Sequence, residues 1–340
     1  MRRRINIILD HNSFLGQELF PWASLDVGEI STWFRENGIE VNIQTLQSLQ
    51  ENKLPEDQVL WFTSSQKPDY KLYIEDLIFS LNGMNNYLIP SRDILKAHDN
   101  KGFQELLKSN LNINDLKSRY YGTIDEVNFE EINYPVVLKK PDGAGSHGVF
   151  LIKSRRELER TIRKLTRESL TFIDLKTRFK DFLKYYLFRN KYNTKSSEYK
   201  RKNIRFVLQK FISNLKFDYK ILIFYDRYFV LKRYTKPNDF RASGSGIFKF
   251  EDIDSGLLDY AKNIFATFNV PHISLDVCFD GRKYYLIEFQ GTHFGPYTLQ
   301  CSEGFYSFNE TEWQFNSYKS VLEVEYCRSI FLFLKEKGIW

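Results

Sequence analysis

The chain is poor in sulfur. Cys278, Cys301 and Cys327 are its only cysteines in 340 residues, an odd number with no C-x-x-C spacing. That excludes a disulfide framework and a cysteine-based zinc site. Long apolar runs are missing as well. No stretch approaches the roughly 18 apolar residues of a membrane span. Met1-Arg2-Arg3-Arg4 looks like the start of a signal sequence, but the apolar run Ile5 to Leu9 stops at Asp10, too short for the core of one. The expectation is a soluble cytoplasmic protein in a reducing compartment. There is no internal repeat or low-complexity segment, and no RRM, KH or helix-turn-helix pattern that would mark a nucleic-acid binder.

What is present is apolar and aromatic side chain, 42% and 16% of residues, which excludes a disordered chain. The length suits two to three domains. The net charge of +6 is local. Residues 166–203 hold 11 Lys+Arg against 4 Asp+Glu, so the rest of the chain is close to neutral. Within this segment Phe179, Phe182, Tyr185, Tyr186 and Phe188 recur at helical spacing. The spacing predicts a helix that packs its aromatic face on the protein and turns its basic side to solvent. The sharper alternatives are a patch for an anionic substrate, an acidic partner or a membrane surface.

Periodicity organises the chain as α/β (α+β). A first strand at 5–9, a helix at 27–37 closed by Gly38, strands at 39–43 and 59–63 and a helix at 72–81 predict a small parallel, Rossmann-like unit over 1–97. Polar chain around His98 to Gly102 then reads as a separator. Strands are expected at 136–140, 149–152, 206–211, 220–225, 228–233, 273–279 and 284–289, with helices at 254–267 and 318–337.

Three constellations carry chemistry. Lys140-Pro141-x-Gly143-x-Gly145-Ser146-x-Gly148 lies between two strands. Its glycines let backbone N–H groups approach phosphate oxygens, and Ser146 adds a hydroxyl. It is neither a Walker A loop nor a dinucleotide fingerprint, because a strand follows it and not a helix. Asp276 sits in an apolar strand, and Asp280-Gly281 turns the chain into a return strand carrying Glu288 and Gln290. Simple hairpin counting pairs position 276 near 285, so opposition to Glu288 is not expected from spacing. Hard oxygen donors of this kind suit Mg²⁺ shared with nucleotide phosphates. Between the two constellations lie Asp218, Lys220 and the Gly/Ser loop around Arg241 and Ser243, a place for a cation that steadies a transferring phosphoryl group.

Taken in order, these elements resemble the ATP-grasp enzymes, in the branch of ribosomal-protein-modifying glutamate ligases and D-alanine–D-alanine ligases. The resemblance runs over roughly 98–298. It implies nucleotide contacts at Lys101, Lys140, Ser146, Gln209, Lys210, Phe211, Asp218, Arg241 and Ser243, and a metal set of Asp276, Glu288 and Gln290. It implies catalytic roles for Arg241 and Lys220. Gln209 stands where the family usually has Glu, and Ser243 and Gln290 where it has Asn. The implied architecture is a pre-ATP-grasp domain at 1–97, a central lid subdomain at 98–205 holding the basic helical insert 166–203, and a C-terminal subdomain at 206–340 with the metal site.

The implied reaction is ATP-dependent joining of a carboxylate to an amine through an acyl-phosphate, with two Mg²⁺ ions, or Mn²⁺ in their place. The partners are then a carboxylate (amino acid, peptide or uronic-acid sugar) and an amine acceptor. No specific nucleic acid and no membrane span are expected, and a homodimer is left open. His293 is either a base for the amine or a structural histidine, and His147 carries the same ambiguity. The competing readings are a nucleotide binder without turnover and a polyanion binder that uses the insert.

Overall fold

The computed structural model describes residues 3–19, 22–51, 57–81, 85–142, 148–187, 198–199, 201–237, 239–251 and 253–340. The chain forms two compact units, one of residues 1–116 and 212–340, the other of residues 117–143 and 147–211.

The first unit begins with a four-stranded parallel sheet in the order Glu40–Thr45, Arg4–Leu9, Val59–Trp61, Tyr87–Ile89. The helix Val27–Glu36 starts where the Asp26 side chain accepts from the Glu29 N–H. It ends as its sequence suggests. Gly38 takes φ +75, and the N–H groups of Gly38 and Ile39 donate to Arg35 and Phe34 carbonyls. This closes the orphan carbonyls and brings Ile39 against Phe34.

The second sheet of this unit is antiparallel, in the order Tyr284–Gln290, His272–Phe279, Phe217–Phe224, Arg227–Tyr234, Gly304–Phe308, Trp313–Ser317, with Phe248–Lys249 added beside Arg227–Tyr234. Alternation divides its side chains. Ile221, Ile223, Leu275, Val277, Leu286 and Phe289 face a core shared with the helix Ser255–Phe268. On the other face Leu222, Phe224 and Phe229 join Ile5, Ile7, Trp61, Tyr326 and Ile330 in a common core. Residues 1–116 are thereby packed against 212–340.

The stretch His98–Gly102 departs from the sequence expectation. It is not a polar separator but a buried junction between the helices Arg92–Ala97 and Lys101–Asn110. Lys101 has an ionic neighbour there, whereas both ring nitrogens of the buried His98 lack a hydrogen-bond partner among the described residues. The His98 ring packs on His293, and Lys101 reaches Glu288.

The second unit is a four-stranded antiparallel sheet, Ser118–Tyr121, Phe206–Lys210, Val136–Lys139, Val149–Ile152, with the helix Arg155–Glu168 on one face. Leu158, Ile162 and Leu165 of that helix pack on Leu138, Ile152, Phe206 and Leu208. The helix Phe172–Leu187 follows and contains no buried residue. Phe179, Phe182, Tyr185 and Tyr186 are exposed on it, where the sequence predicts a face packed on the protein. Phe188 lies outside the described residues.

Candidate active site

The site builds outward from the strand His272–Phe279. Register places Lys220, Asp276 and Glu288 in one row across three neighbouring strands. Paired residues of antiparallel strands share a face, so all three point the same way. Ser274 pairs with Gln290 one step along, on the same face.

The opposition of Asp276 and Glu288 corrects the hairpin count. Cys278 pairs with Tyr285 and Val277 with Leu286, two places beyond the simple count because the turn spans Asp280 to Lys283, and a bulge then adds one more place, so that Asp276 pairs with Glu288. The added residue, Ile287, breaks the alternation. Were the alternation carried unbroken through Ile287, Glu288 would share the face of Leu286, which is core.

Cations surround the acids. Lys220 Nζ lies 3.4 Å from Asp276 Oδ1, and Arg233 Nη2 lies 3.0 Å from Asp276 Oδ2. Arg233 also bonds Asp218 through Nε at 2.7 Å. Lys101 Nζ is 3.5 Å from Glu288 Oε1. Lys101 owes its place to the helix Lys101–Asn110, which is pinned to the edge strand. Gln104 Nε2 donates to the Phe289 carbonyl at 2.9 Å, and its Oε1 accepts from the Phe289 N–H. Asp115 accepts from the Leu286 N–H at 2.8 Å, lower on the same strand. These side chains satisfy an edge that would otherwise carry unpaired backbone groups.

Burial raises the cost of charge on every group here, and the two aspartates respond differently. Burial pushes the Asp276 carboxyl up, but Arg233 and Lys220 outweigh it and hold the group at about 2. For Asp218 burial prevails over the pull of Arg233, and its pKa rises to about 6. One guanidinium shared by two acids satisfies one of them fully.

The loop that follows holds Arg241, whose Nε and Nη2 both lie 2.9 Å from the Asp239 carboxylate. That bidentate bond keeps the Asp239 carboxyl below its ordinary range. Ser243 is two residues on in the same loop.

His293 lies beyond the strand Tyr284–Gln290 and is not placed as an exposed base. It is buried against His98, ring centroids 4.3 Å apart. Burial pushes both imidazoles down, His98 to about 3, and His293 is lowered further by its neighbour. Burial thus favours the neutral form of both rings.

In the second unit, Gln209 is buried, and its amide nitrogen has no hydrogen-bond partner among the described residues. Val207 pairs with Lys139 and Gln209 with Val137, so Lys139 shares the face of Gln209. Lys139 is buried and Lys140 exposed. The Lys140 N–H donates to the Gly148 carbonyl at 2.9 Å across the turn, and Gly148 takes φ +79. Ser146 and His147 lie outside the described residues. Lys210 is exposed and Phe211 half-buried at the end of that strand.

Sequence reading therefore passed over Arg233, Lys139, Gln104 and Asp115. Arg233 had a signal. It stands where strand alternation sets it opposite Asp218.

Asp276, Glu288 and Gln290 offer two carboxylates and an amide oxygen on one face. Among the described residues no group of three or more His, Cys, Asp or Glu side chains gathers as a metal cage. Such an incomplete set of hard oxygen donors fits a cation that completes its shell with phosphate oxygens.

No family model and no curated protein matches the sequence. Solved structures do match by shape. The D-cycloserine synthetase DcsG aligns over 96% of this chain and 98% of its own, at TM-score 0.54 and 11% identity. The ADP complex of purK, an N5-carboxyaminoimidazole ribonucleotide synthetase, aligns over 89% and 74%, at TM-score 0.52 and 13% identity. The chain has the ATP-grasp fold. At these identities the likeness concerns the fold alone. It runs through both units, including the parallel sheet ahead of the ATP-grasp region.

Proposed function

We propose that this ATP-grasp protein is a ligase that joins a carboxylate to an amine at the expense of ATP, releasing ADP and phosphate. The observation that carries the reading is the row Lys220–Asp276–Glu288 with Lys101 and Arg233 beside it. A carboxylate that attacks the γ-phosphate must approach another anion, so the site has to gather positive charge without collapsing. Here each acid is already matched to a cation, which holds both in place.

Asp276, Glu288 and Gln290 would hold Mg²⁺, which neutralises phosphate oxygens when bound. Lys220 and Lys101 then meet the substrate anions from either side of the row. Arg241, aimed by Asp239, serves the acyl-phosphate formed when the carboxylate oxygen displaces ADP. The amine nitrogen attacks the acyl carbon, and phosphate leaves with the acyl oxygen that bound it.

Gln209 supports adenine binding. A buried amide with an unmet donor is costly, and the hydrogen-bonding edge of a purine would satisfy it. Lys139 and Lys140 would serve the phosphates, with Ser146 and Ser243, while Lys210, Phe211 and Asp218 line the nucleoside end as the resemblance implies. In this reading residues 1–97 form the pre-ATP-grasp domain, and the lid corresponds to the second unit, which ends at 211 and not at 205, with the metal-bearing subdomain after it.

A screen of ADP release that crosses a panel of carboxylates with a panel of amines tests the reading. Release that requires one member of each panel supports it. Tight nucleotide binding with no release under any mixture would replace it with a binder that has lost turnover.

A further inference from the structure

The helix Phe172–Leu187 is amphipathic but mounted inside out. At about 100° per residue Phe172, Leu175, Phe179, Phe182, Leu183 and Tyr186 fall on an arc roughly 100° wide. These six are between 39% and 82% exposed. Asp174, Thr177 and Asp181, on the opposite side, are the half-buried ones. The mounting is specified locally. The Thr171 hydroxyl accepts from the Asp174 N–H at 3.2 Å, and the Asp174 carboxylate accepts from the Thr171 N–H at 2.8 Å, a reciprocal cap. Asp174 also pairs with Lys202 at 3.4 Å, which ties the polar stripe to the protein. The sixteen residues make a ridge about 24 Å long.

Charge says what the ridge meets. Lys176, Lys180 and Lys184 recur every four residues along one margin of the apolar arc. Arg178 stands on the other margin and lines a cleft of about 560 Å³ with Arg155, Arg163, Arg167, Arg201 and Lys202. The helix's two acids point away from the arc. Apolar side chains between two cationic margins suit an anionic lipid surface, where the rings enter the acyl boundary and the cations meet headgroups. A second copy of the chain fits poorly, because residues 166–203 carry a surplus of seven positive charges that would oppose their like. A convex ridge also needs a grooved protein partner, whereas a fluid acyl layer adapts to it.

We propose that the helix Phe172–Leu187 docks this protein onto an anionic membrane surface, lying in the interface and not crossing it. No helix among the described residues is long and apolar enough to span a bilayer. The inference stands apart from the ligase reading and does not depend on it.

The test is co-sedimentation of the full chain with phosphatidylcholine vesicles, with and without phosphatidylserine. The expected result is partition at least about tenfold stronger on the anionic vesicles, weakening with salt. Phe179→Ser with Phe182→Ser should reduce that partition about tenfold or more. Lys180→Glu with Lys184→Glu should remove the preference for anionic lipid. The replaced side chains are exposed, so both variants should melt like the parent. Equal partition on the two vesicle types, or partition indifferent to the Phe variant, would overturn the proposal. So would a parent dimer that the Phe variant returns to monomer, which would make the ridge an interface between copies. Displacement of the protein from vesicles by inorganic phosphate alone, with the Phe variant unaffected, would assign the cleft to a soluble anion instead.

Discussion

Asp276 stands directly opposite Glu288 because one residue, Ile287, is extra in its strand. Strict alternation from Leu286 would put Glu288 on the same face as Leu286, which is core. The bulge turns it to the face of Asp276, Lys220 and Arg233. A backbone irregularity of one residue thus separates an apolar core from a charged site two positions away.

Glu288→Gln should cut ADP formation by at least about a hundredfold, the scale of losing one preorganised electrostatic group. The amide keeps the shape but removes the charge that Lys101 and a bound cation need. Because Lys101 is buried, removing the charge of its partner should also cost about 1–3 kcal/mol of stability. Steady-state ADP release and a denaturant melt measure the two effects separately. Unchanged turnover would remove Glu288 from the site.

Arg233→Met is expected to act on the fold first. Arg233 joins Asp218 at 2.7 Å and Asp276 at 3.0 Å, and all three side chains are largely buried. Removing the shared cation leaves two carboxylates facing each other with only Lys220 to offset them. The cost should be about 3–5 kcal/mol, as for other broken buried pairs. Adding Asp218→Asn should return part of it. Urea midpoints of the single and double variants decide the matter, and equal midpoints for the parent and Arg233→Met would show that the bridge carries no stability.

Much of this was legible in the sequence. The strands flanking Asp276 and Glu288 announce themselves by alternation, and Asp280-Gly281 marks their turn. Gly38 predicts its helix end because only a residue free to take φ +75 closes it cheaply. The bulge at Ile287 was not legible, since an isoleucine in a strand looks the same whether or not it is paired. Arg233 was not legible as a site residue, since its partnership needs the register of three strands. The exposed face of Phe172–Leu187 was misread for a physical reason. Periodicity tells which residues share a face, but only the mounting of the helix, here through Asp174 and Lys202, tells which way that face looks.

Stability should fall steeply on acidification between about pH 6 and pH 4. Burial holds His98 and His272 neutral, each with its pKa pushed down to about 3, and His293 lies well below its ordinary value. Folded values depressed below the unfolded value of about 6.5 give stability that is present above that pH and lost as pH falls, because the unfolded chain takes up the protons. Asp218 opposes this. Its folded value of about 6 means that the native state binds a proton in the same interval, which offsets roughly one of the three histidines. The net is about 2–3 kcal/mol per pH unit near pH 5. Asp276, held at about 2, adds its own loss only below about pH 4. Urea midpoints across pH 4 to 7 measure the slope, and a flat profile would mean that the histidines titrate normally in the native state.

Gln209→Leu separates folding from nucleotide binding. The Gln209 amide is buried and its nitrogen has no partner among the described residues. Replacing it with an apolar side chain of similar volume removes an unmet donor, so the free protein should be as stable as the parent or more so. If the amide meets the base, the same change should weaken Mg·ADP binding about tenfold, the usual scale of one lost hydrogen bond with its partner left unpaired. Ligand linkage makes this visible as Tm. Nucleotide at about a hundred times its dissociation constant should add roughly 2.7 kcal/mol to the parent, and a tenfold weaker complex about half of that. A parent Tm that millimolar Mg·ADP does not move would contradict nucleotide binding altogether. Equal shifts in parent and variant would place the base away from Gln209.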